Sequence, residues 1–162
     1  MDRVSWDEVF IQFLENLARR STCLKLKTSA IIVQDTQIIS LGYNGTFPHA
    51  DECCDYWHAI YKKKNLLIPF DYWLTTDEFR DAHREWSCSE EVHAEANALK
   101  WVNKRDITDD TIMYSLNSPC DACAKDIIAH GIKTVFYKHK YKRGDNALER
   151  FKKYGVVCRQ LV

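Results

Sequence analysis

The sequence predicts an α/β fold in a single domain. In its second half, short apolar runs alternate with amphipathic segments of about ten residues, the order that layers helices around one sheet. The chain has 162 residues, of which 46% are apolar, enough to bury one core. It shows no internal repeat, low-complexity tract or flexible linker. We therefore expect one domain over residues 1–162, with residues 46–88 as an insertion.

The individual elements follow from periodicity and capping signals. Ser5-Trp6-Asp7-Glu8 has the Ser-x-x-Glu form of a capping box and opens a run of apolar residues at helical spacing. Residues 46–88 show no sustained period, so this insertion is expected to be an irregular stretch in which residues 51–64 and 75–84 could form short helices. Helices are predicted over residues 6–19, 51–64, 75–84, 92–103, 120–130 and 146–154, and strands over residues 30–33, 38–43, 111–116, 133–138 and 156–162.

The charge balance favours a small-molecule substrate. Lysine and arginine together number 23, as do aspartate and glutamate, so the formal net charge is zero. Proteins that bind polynucleotides usually have a basic excess, so no nucleic-acid partner is predicted, although residues 138–143 could form a local basic patch. No run of about 18 uncharged apolar residues occurs, which predicts no membrane partner. The first residues lack an apolar signal core, so we expect a cytoplasmic protein, in the host cytoplasm if the chain is viral.

The strongest motif predicts a catalytic zinc site. His93-Ala94-Glu95 is followed further along the chain by Pro119-Cys120-Asp121-Ala122-Cys123. His93, Cys120 and Cys123 supply one imidazole and two thiolates, and three protein ligands leave the fourth zinc position for water. Both ligand groups fall at predicted helix starts, where unpaired backbone donors favour thiolates. Pro119 suits the first helical position, which needs no amide hydrogen.

Glu95 is the predicted catalytic residue. Zinc in a favourable site lowers the pKa of a water to about 7, and a neighbouring carboxylate can take the proton and return it to a leaving amine. This chemistry is deamination, and the combined motif has the form that zinc deaminases share. A Cys-x-x-Cys pair alone is also common in structural zinc sites and redox pairs. A structural site has no need of Glu95, so the catalytic interpretation is favoured.

Further segments add a second pattern. They are Ser21-Thr22-Cys23, residues 38–46 with Gly42-Tyr43-Asn44-Gly45-Thr46, Cys53-Cys54-Asp55, Glu85-Trp86-Ser87, and residues 93–98, 118–125 and 131–133. Together they resemble the phage-type branch of the deoxycytidylate (dCMP) deaminases, within the cytidine deaminase superfamily. The resemblance implies a three-layer α/β/α fold with a mixed five-stranded sheet and the deamination of dCMP to dUMP for dTMP synthesis. It also implies a homo-hexamer with dCTP as activator and dTTP as inhibitor, and Mg²⁺ could accompany these triphosphates.

The same resemblance implies three substrate-binding residues. Asn44 matches a residue that hydrogen-bonds the bound nucleotide, Tyr141 matches a tyrosine near the substrate phosphate, and Ser118 precedes the cysteine motif. Other roles remain open, because Asn and Gly are common turn residues and an aromatic side chain near Tyr137 needs no ligand.

The resemblance also implies a second, structural zinc. The matching positions are Cys23, Cys53, His83 and Glu91, and a long loop with little apolar pattern gains order from a metal clip. From composition alone, other side chains of the insertion remain rival ligands: Cys54, Cys88, His49 and His58.

Two alternative functions remain. Another deaminase, acting on free cytidine, tRNA adenosine or a single-stranded polynucleotide, would share the zinc motif, and a catalytically silent zinc module would share all of it except the need for Glu95. Neutral charge and the Gly42 to Thr46 segment argue against the first alternative. Feedback control does not simply carry over, because Thr28-Ser29-Ala30 stands where relatives commonly have Val-Gly-Ala near the effector surface.

Overall fold

A computed structural model describes residues 3–142 and 144–161 of the chain. Its elements, in chain order, are α1 (Trp6–Ala18), β1 (Ser29–Gln34), β2 (Gln37–Tyr43), β3 (Gly45–Thr46), α2 (Cys53–Lys64), α3 (Phe70–Trp73), α4 (Asp77–Glu90), β4 (Glu91–Val92), α5 (Ala94–Leu99), a 3₁₀ turn (Lys104–Asp106), β5 (Ile112–Asn117), α6 (Asp121–His130), β6 (Thr134–His139), α7 (Asp145–Lys153) and β7 (Val157–Gln160). No helix in this part of the chain is both long and apolar enough to cross a membrane.

The centre of the fold is a mixed five-stranded sheet in the order β2-β1-β5-β6-β7. β1 pairs antiparallel with both β2 and β5, whereas β5, β6 and β7 run parallel. A separate two-stranded ladder joins β3 to β4, with Gly45 opposite Val92. The α/β class and the mixed five-stranded sheet predicted from the sequence are confirmed.

Helices cover both faces of the sheet. Because successive strand residues point to opposite faces, Ile31 and Val33 join the core under α1, while Ala30 and Ile32 join the core under α5, α6 and α7. The central strand β1 is therefore buried on both sides, which confirms the three-layer α/β/α arrangement. The Ser5 hydroxyl caps α1 by accepting a hydrogen bond from the Glu8 amide at 3.2 Å.

The insertion is more helical than its sequence suggested. Its apolar residues form a third core around buried aromatic side chains, with Cys23, Cys53, Trp57, Trp73 and Phe79 at its centre. α4 extends to Glu90, beyond the predicted end at residue 84, because Trp86 near its C-terminal end stacks on Tyr56 of α2 with ring centroids 4.8 Å apart. The helices predicted over residues 51–64 and 75–84 correspond to α2 and α4, whereas α3 carried no prediction.

Several predicted boundaries also differ. The helix predicted over residues 92–103 is only Ala94–Leu99, because Val92 pairs in β4 and Trp101 is 75% exposed rather than packed on the sheet. Pro119 lies one position before the N-cap Cys120 and so is outside the helix rather than at its first position.

The remaining differences concern the C-terminal third. β7 ends at Gln160, and the last residue of the predicted strand, Val162, lies outside the described residues. In the possible basic patch over residues 138–143, Lys138 pairs with Glu15 and Lys140 with Asp145, and Arg143 lies outside the described residues.

Candidate active site and metal centres

The His-x-Glu and Cys-x-x-Cys motifs meet at the start of two helices. His93 is the N-cap of α5, Cys120 is the N-cap of α6, and Cys123 lies in the first turn of α6. The His93 Nδ1 atom lies 3.4 Å from the Cys120 Sγ and 3.3 Å from the Cys123 Sγ. One nitrogen and two sulfurs at this spacing fit a zinc ion with a coordination position to spare.

This cluster is accessible from one side only. His93 is exposed, Cys120 is half-buried and Cys123 is buried against the sheet. A small molecule can therefore approach the cluster from the His93 side, while the protein interior closes the other side.

The thiols of Cys120 and Cys123 have pKa values shifted in opposite directions. The hydrogen bond from Cys123 lowers the pKa of Cys120 to about 4, and the same contact with burial raises the pKa of Cys123. Hydrogen bonding to Cys120 in turn raises the pKa of His93. The first turn of α6 thus already favours a thiolate, the form that binds metal.

Glu95 lies next to the cluster in the first turn of α5. Its side chain is only 6% exposed, and burial raises the pKa of its carboxyl group. The Oε2 atom accepts a hydrogen bond from the Cys123 thiol at 3.4 Å, and the Oε1 atom accepts one from the Ser115 hydroxyl at 3.1 Å. A carboxyl group with a raised pKa beside a metal site is suited to carry protons near neutral pH.

The three predicted substrate-binding residues are all held by hydrogen bonds within the chain. Asn44 is buried, and its side chain accepts from the Thr28 amide at 2.9 Å and donates to the Leu26 carbonyl at 2.8 Å. Ser118 is also buried, and its hydroxyl accepts a hydrogen bond from the Tyr141 amide at 2.8 Å. Their contacts with a nucleotide remain predictions.

A second cluster lies in the insertion. The ligand atoms of Cys23, Cys53, His83 and Glu91 all lie within 4.8 Å of one another. The His83 Nε2 atom is 3.7 Å from the Cys23 Sγ and 3.4 Å from the Cys53 Sγ, and the buried Glu91 Oε1 atom has no hydrogen-bond partner within the described residues. An orphaned buried carboxylate oxygen beside two thiols and an imidazole fits a metal ion.

The rival ligands do not join this cluster. Cys54 lies in a separate group with Glu52 and Asp55, at the surface. His58 stacks on Phe70 and bonds the carbonyl of Cys54 within its own helix. Among the residues that the structure describes, the four side chains brought together are those that the family resemblance implied.

Charge within the second cluster also favours a metal ion. The hydrogen bond with Cys53 lowers the pKa of Cys23 to about 3, and it raises the pKa of Cys53. Burial and the neighbouring Cys23 charge raise the pKa of Glu91 to about 8. A bound cation would relieve this crowding of buried negative groups.

Two residues near the site carried no functional prediction. Ser115 contacts Glu95 from β5, and its only signal in the sequence is a polar residue inside an otherwise apolar strand. Gly42 allows β2 to contact α5 directly, since a Cβ atom there would lie 2.3 Å from the Ala94 carbonyl oxygen.

Comparison with known proteins identifies the class of protein. Residues 4–139 match the model described as the cytidine and deoxycytidylate deaminase zinc-binding region. In class, the chain is therefore a zinc-dependent hydrolytic enzyme. More particularly, it belongs to the cytidine and deoxycytidylate deaminase family, as the sequence motifs predicted.

Individual relatives agree with this assignment. The chain is 35% identical over 162 residues to ComE operon protein 2 of Bacillus subtilis, covering 99% of this chain and 74% of that protein. It is 34% identical over 149 residues to the deoxycytidylate deaminase of Enterobacteria phage T4, covering 82% and 77%. The crystal structure of dCMP deaminase from the cyanophage S-TIM5 with dCMP and dUMP has the same fold, with a TM-score of 0.69 and 24% identity over 99% of this chain and 100% of that one.

Proposed function

We propose that the protein deaminates dCMP to dUMP by hydrolysis. In this proposal His93, Cys120 and Cys123 hold the zinc ion, and Glu95 carries the protons. The placement of Glu95 is the observation that supports it most, because a buried carboxyl group lies 3.4 Å from a thiol of the metal cluster and has a raised pKa. A purely structural metal site has no use for a carboxyl group in that position.

The reaction replaces an amino group by oxygen. A C–O bond forms between water and C4 of the pyrimidine ring, the C4–N bond breaks, and ammonia leaves. Zinc, when bound, supplies a Lewis acid that makes the attacking water more acidic. The Glu95 Oε2 atom, which faces the cluster, takes one proton of that water and delivers it to the ring nitrogen. It then takes the second proton, from the new hydroxyl group on C4, and delivers it to the leaving amine.

Choosing dCMP as the substrate rests on several relatives of this name and on the Gly42 to Thr46 segment. Asn44, Ser118 and Tyr141 are the proposed nucleotide contacts, supported by the hydrogen bond that joins Ser118 to Tyr141. The zinc chemistry alone would also accept dCTP or a 5-substituted analogue, since these differ only at the phosphates and at one ring position.

The proposal includes feedback control, with dCTP as activator and dTTP as inhibitor. A cleft of about 440 Å³ beside the loop after α1 supports it, because Arg19, Arg20 and Lys27 line this cleft and their charges suit a triphosphate, with or without Mg²⁺. The Ser29 side chain points away into the α1 contact, where it donates to the Leu14 carbonyl at 2.7 Å.

The proposal also covers the whole protein. We place it as a cytoplasmic homo-hexamer (in the host cytoplasm for a viral chain) without a nucleic-acid or membrane partner. The chain forms one domain over residues 1–162, whose insertion over residues 46–88 is clipped by a second zinc. The four-residue cluster of Cys23, Cys53, His83 and Glu91 supports that zinc site.

Substrate choice is tested by a deamination panel of cytidine, dCMP, dCTP and a short RNA hairpin, with ammonia release as the measurement. We expect dCMP to react fastest, with dCTP raising and dTTP lowering its rate. A protein that leaves dCMP unchanged but deaminates the hairpin would contradict the proposal.

The role of Glu95 is tested by the variant E95Q, with E149Q as its matched control. E95Q should retain zinc by metal analysis but lose a factor of about 10²–10⁴ in kcat, because general acid–base catalysis contributes that order. E149Q, at an exposed carboxylate on α7, should keep the parent rate. An E95Q protein as fast as the parent would show that Glu95 carries no proton.

A further inference from the structure

We infer that Ser115 is a positioning residue for the proton carrier, since its hydroxyl orients the Glu95 carboxyl group toward the metal cluster. The inference rests on the function proposed above. Ser115 lies in β5, with its hydroxyl 3.1 Å from the Glu95 Oε1 atom. Within the described residues, its side chain makes no hydrogen bond to the candidate metal ligands or to the predicted substrate-binding residues.

The burial of Ser115 shows that its hydroxyl needs a partner. The residue is 0% exposed in the middle of β5, between Tyr114 and Leu116, which are also buried. A hydroxyl group placed there without a hydrogen bond would cost roughly 1–3 kcal/mol. Its partners are the Glu95 Oε1 atom and the Asn117 carbonyl oxygen, the latter at 2.7 Å.

The two carboxyl oxygens of Glu95 have different hydrogen-bond partners. Oε1 bonds to Ser115, while Oε2 accepts from the Cys123 thiol. A cysteine that binds zinc is a thiolate and has no proton to donate. With metal bound, the Cys123 contact no longer holds Oε2, and within the described residues the Ser115 hydroxyl is then the side-chain hydrogen bond that keeps the carboxyl group aimed at the cluster.

A hydroxyl group suits this position better than other polar groups. It both donates and accepts, so it can donate to Oε1 when the carboxylate is bare and accept from it when the carboxyl group carries the shuttled proton. In the second case its own hydrogen turns to the Asn117 carbonyl oxygen. Ser115 can therefore bond Glu95 throughout a turnover in which the proton comes and goes.

The test compares S115A with a matched control in the zinc-loaded, full-length enzyme. Ser29 is the control, since it is also 0% exposed in a strand and its hydroxyl also bonds a backbone carbonyl. We expect S115A to lower kcat for dCMP about 10²-fold, because a misplaced catalytic group costs that order, with KM and zinc content unchanged. S29A should keep the parent kcat, and S115T, which retains the hydroxyl, should recover most of the rate.

A second measurement does not depend on turnover. If Ser115 and Glu95 interact, S115A and E95Q together should lower the melting temperature by an amount different from the sum of their separate effects, while S29A and E95Q should add. Additive shifts, or an S115A kcat within about twofold of the parent, would overturn the assignment of Ser115. A parent enzyme inactive on dCMP would instead overturn the proposed function, and the melting-temperature cycle would still decide whether the two side chains interact.

Discussion

Gly42 shows how a single residue makes the site possible. A Cβ atom at this position would lie 2.3 Å from the Ala94 carbonyl oxygen and 2.5 Å from the Ala98 amide nitrogen. These are backbone atoms of α5, so neither can move aside as a side-chain tip could. The absence of a side chain lets β2 and α5 touch, and α5 carries Glu95 with His93 at its N-cap.

Replacing Gly42 with alanine should therefore damage both stability and metal binding. We expect G42A to lower the free energy of unfolding by about 3 kcal/mol, the upper end for overpacking, and to weaken zinc binding because α5 must move. Urea denaturation and metal analysis measure the two effects. G45A is the control, since a Cβ atom there would meet only the Tyr43 ring at 4.0 Å. Equal stability of the two variants would contradict the steric explanation.

Four separate elements supply the second cluster. Cys23 lies in the loop after α1, Cys53 begins α2, His83 lies within α4 and Glu91 begins β4. A metal ion bound to all four would join segments that are far apart in the chain, and closing such long loops stabilises the folded state.

Adjacent cysteines allow a matched test of this site. C53S should reduce the zinc content from two ions per chain to one and lower the melting temperature, because a buried ligand is lost. C54S changes a neighbouring thiol outside the cluster and should leave both quantities unchanged. Two zinc ions retained by C53S would show that the insertion does not bind metal through Cys53.

At the scale of the whole molecule, the insertion has a core of its own. It contains Trp57, Trp73 and Trp86, three of the five tryptophans in the chain, whereas the core on the α5 face of the sheet contains Phe151 and no tryptophan among the described residues. Near-ultraviolet circular dichroism therefore reports mainly on the insertion, and far-ultraviolet dichroism reports on all helices and strands.

These two signals should separate when metal is removed. In the zinc-loaded protein we expect both to change in one thermal transition, as for a single cooperative domain. After chelation the near-ultraviolet signal should be lost at a lower temperature than the far-ultraviolet signal, because the insertion without its metal ion unfolds before the sheet does. C120S, which lacks only a ligand of the first cluster, should keep the near-ultraviolet transition closer to that of the parent. Coincident transitions after chelation would show that the insertion stays folded as long as the sheet does without metal.

Most of what could be predicted from the sequence came from short motifs of neighbouring residues. The motif around His93 and Cys120 consists of two short segments, each with a fixed spacing of its own, so its chemistry could be interpreted before any fold was known. Cys23 and His83, by contrast, are 60 positions apart, and no spacing rule joins them without knowledge of relatives. Ser115 is one of eight serines, and its hydrogen bond to Glu95 in the folded chain is what distinguishes it.

The end of α5 was mispredicted for a different reason. Trp101 and Val102 continue the apolar pattern of a helix, yet Trp101 is 75% exposed and the helix ends at Leu99. Periodicity cannot reveal that the Trp101 side chain stays at the surface. The insertion likewise shows no sustained period, since its apolar residues pack around a small aromatic core rather than against the sheet.

The short strand β4 has a consequence for how metal ions bind. Glu91 belongs to the second cluster and His93 to the first, and only Val92 separates them. An ion that fixes one of these ligands would also restrict the other, so we expect the two binding equilibria to be coupled. Because such coupling is reciprocal, the catalytic ion would raise the affinity of the insertion for its ion by the same factor that the insertion's ion raises the affinity of the catalytic site.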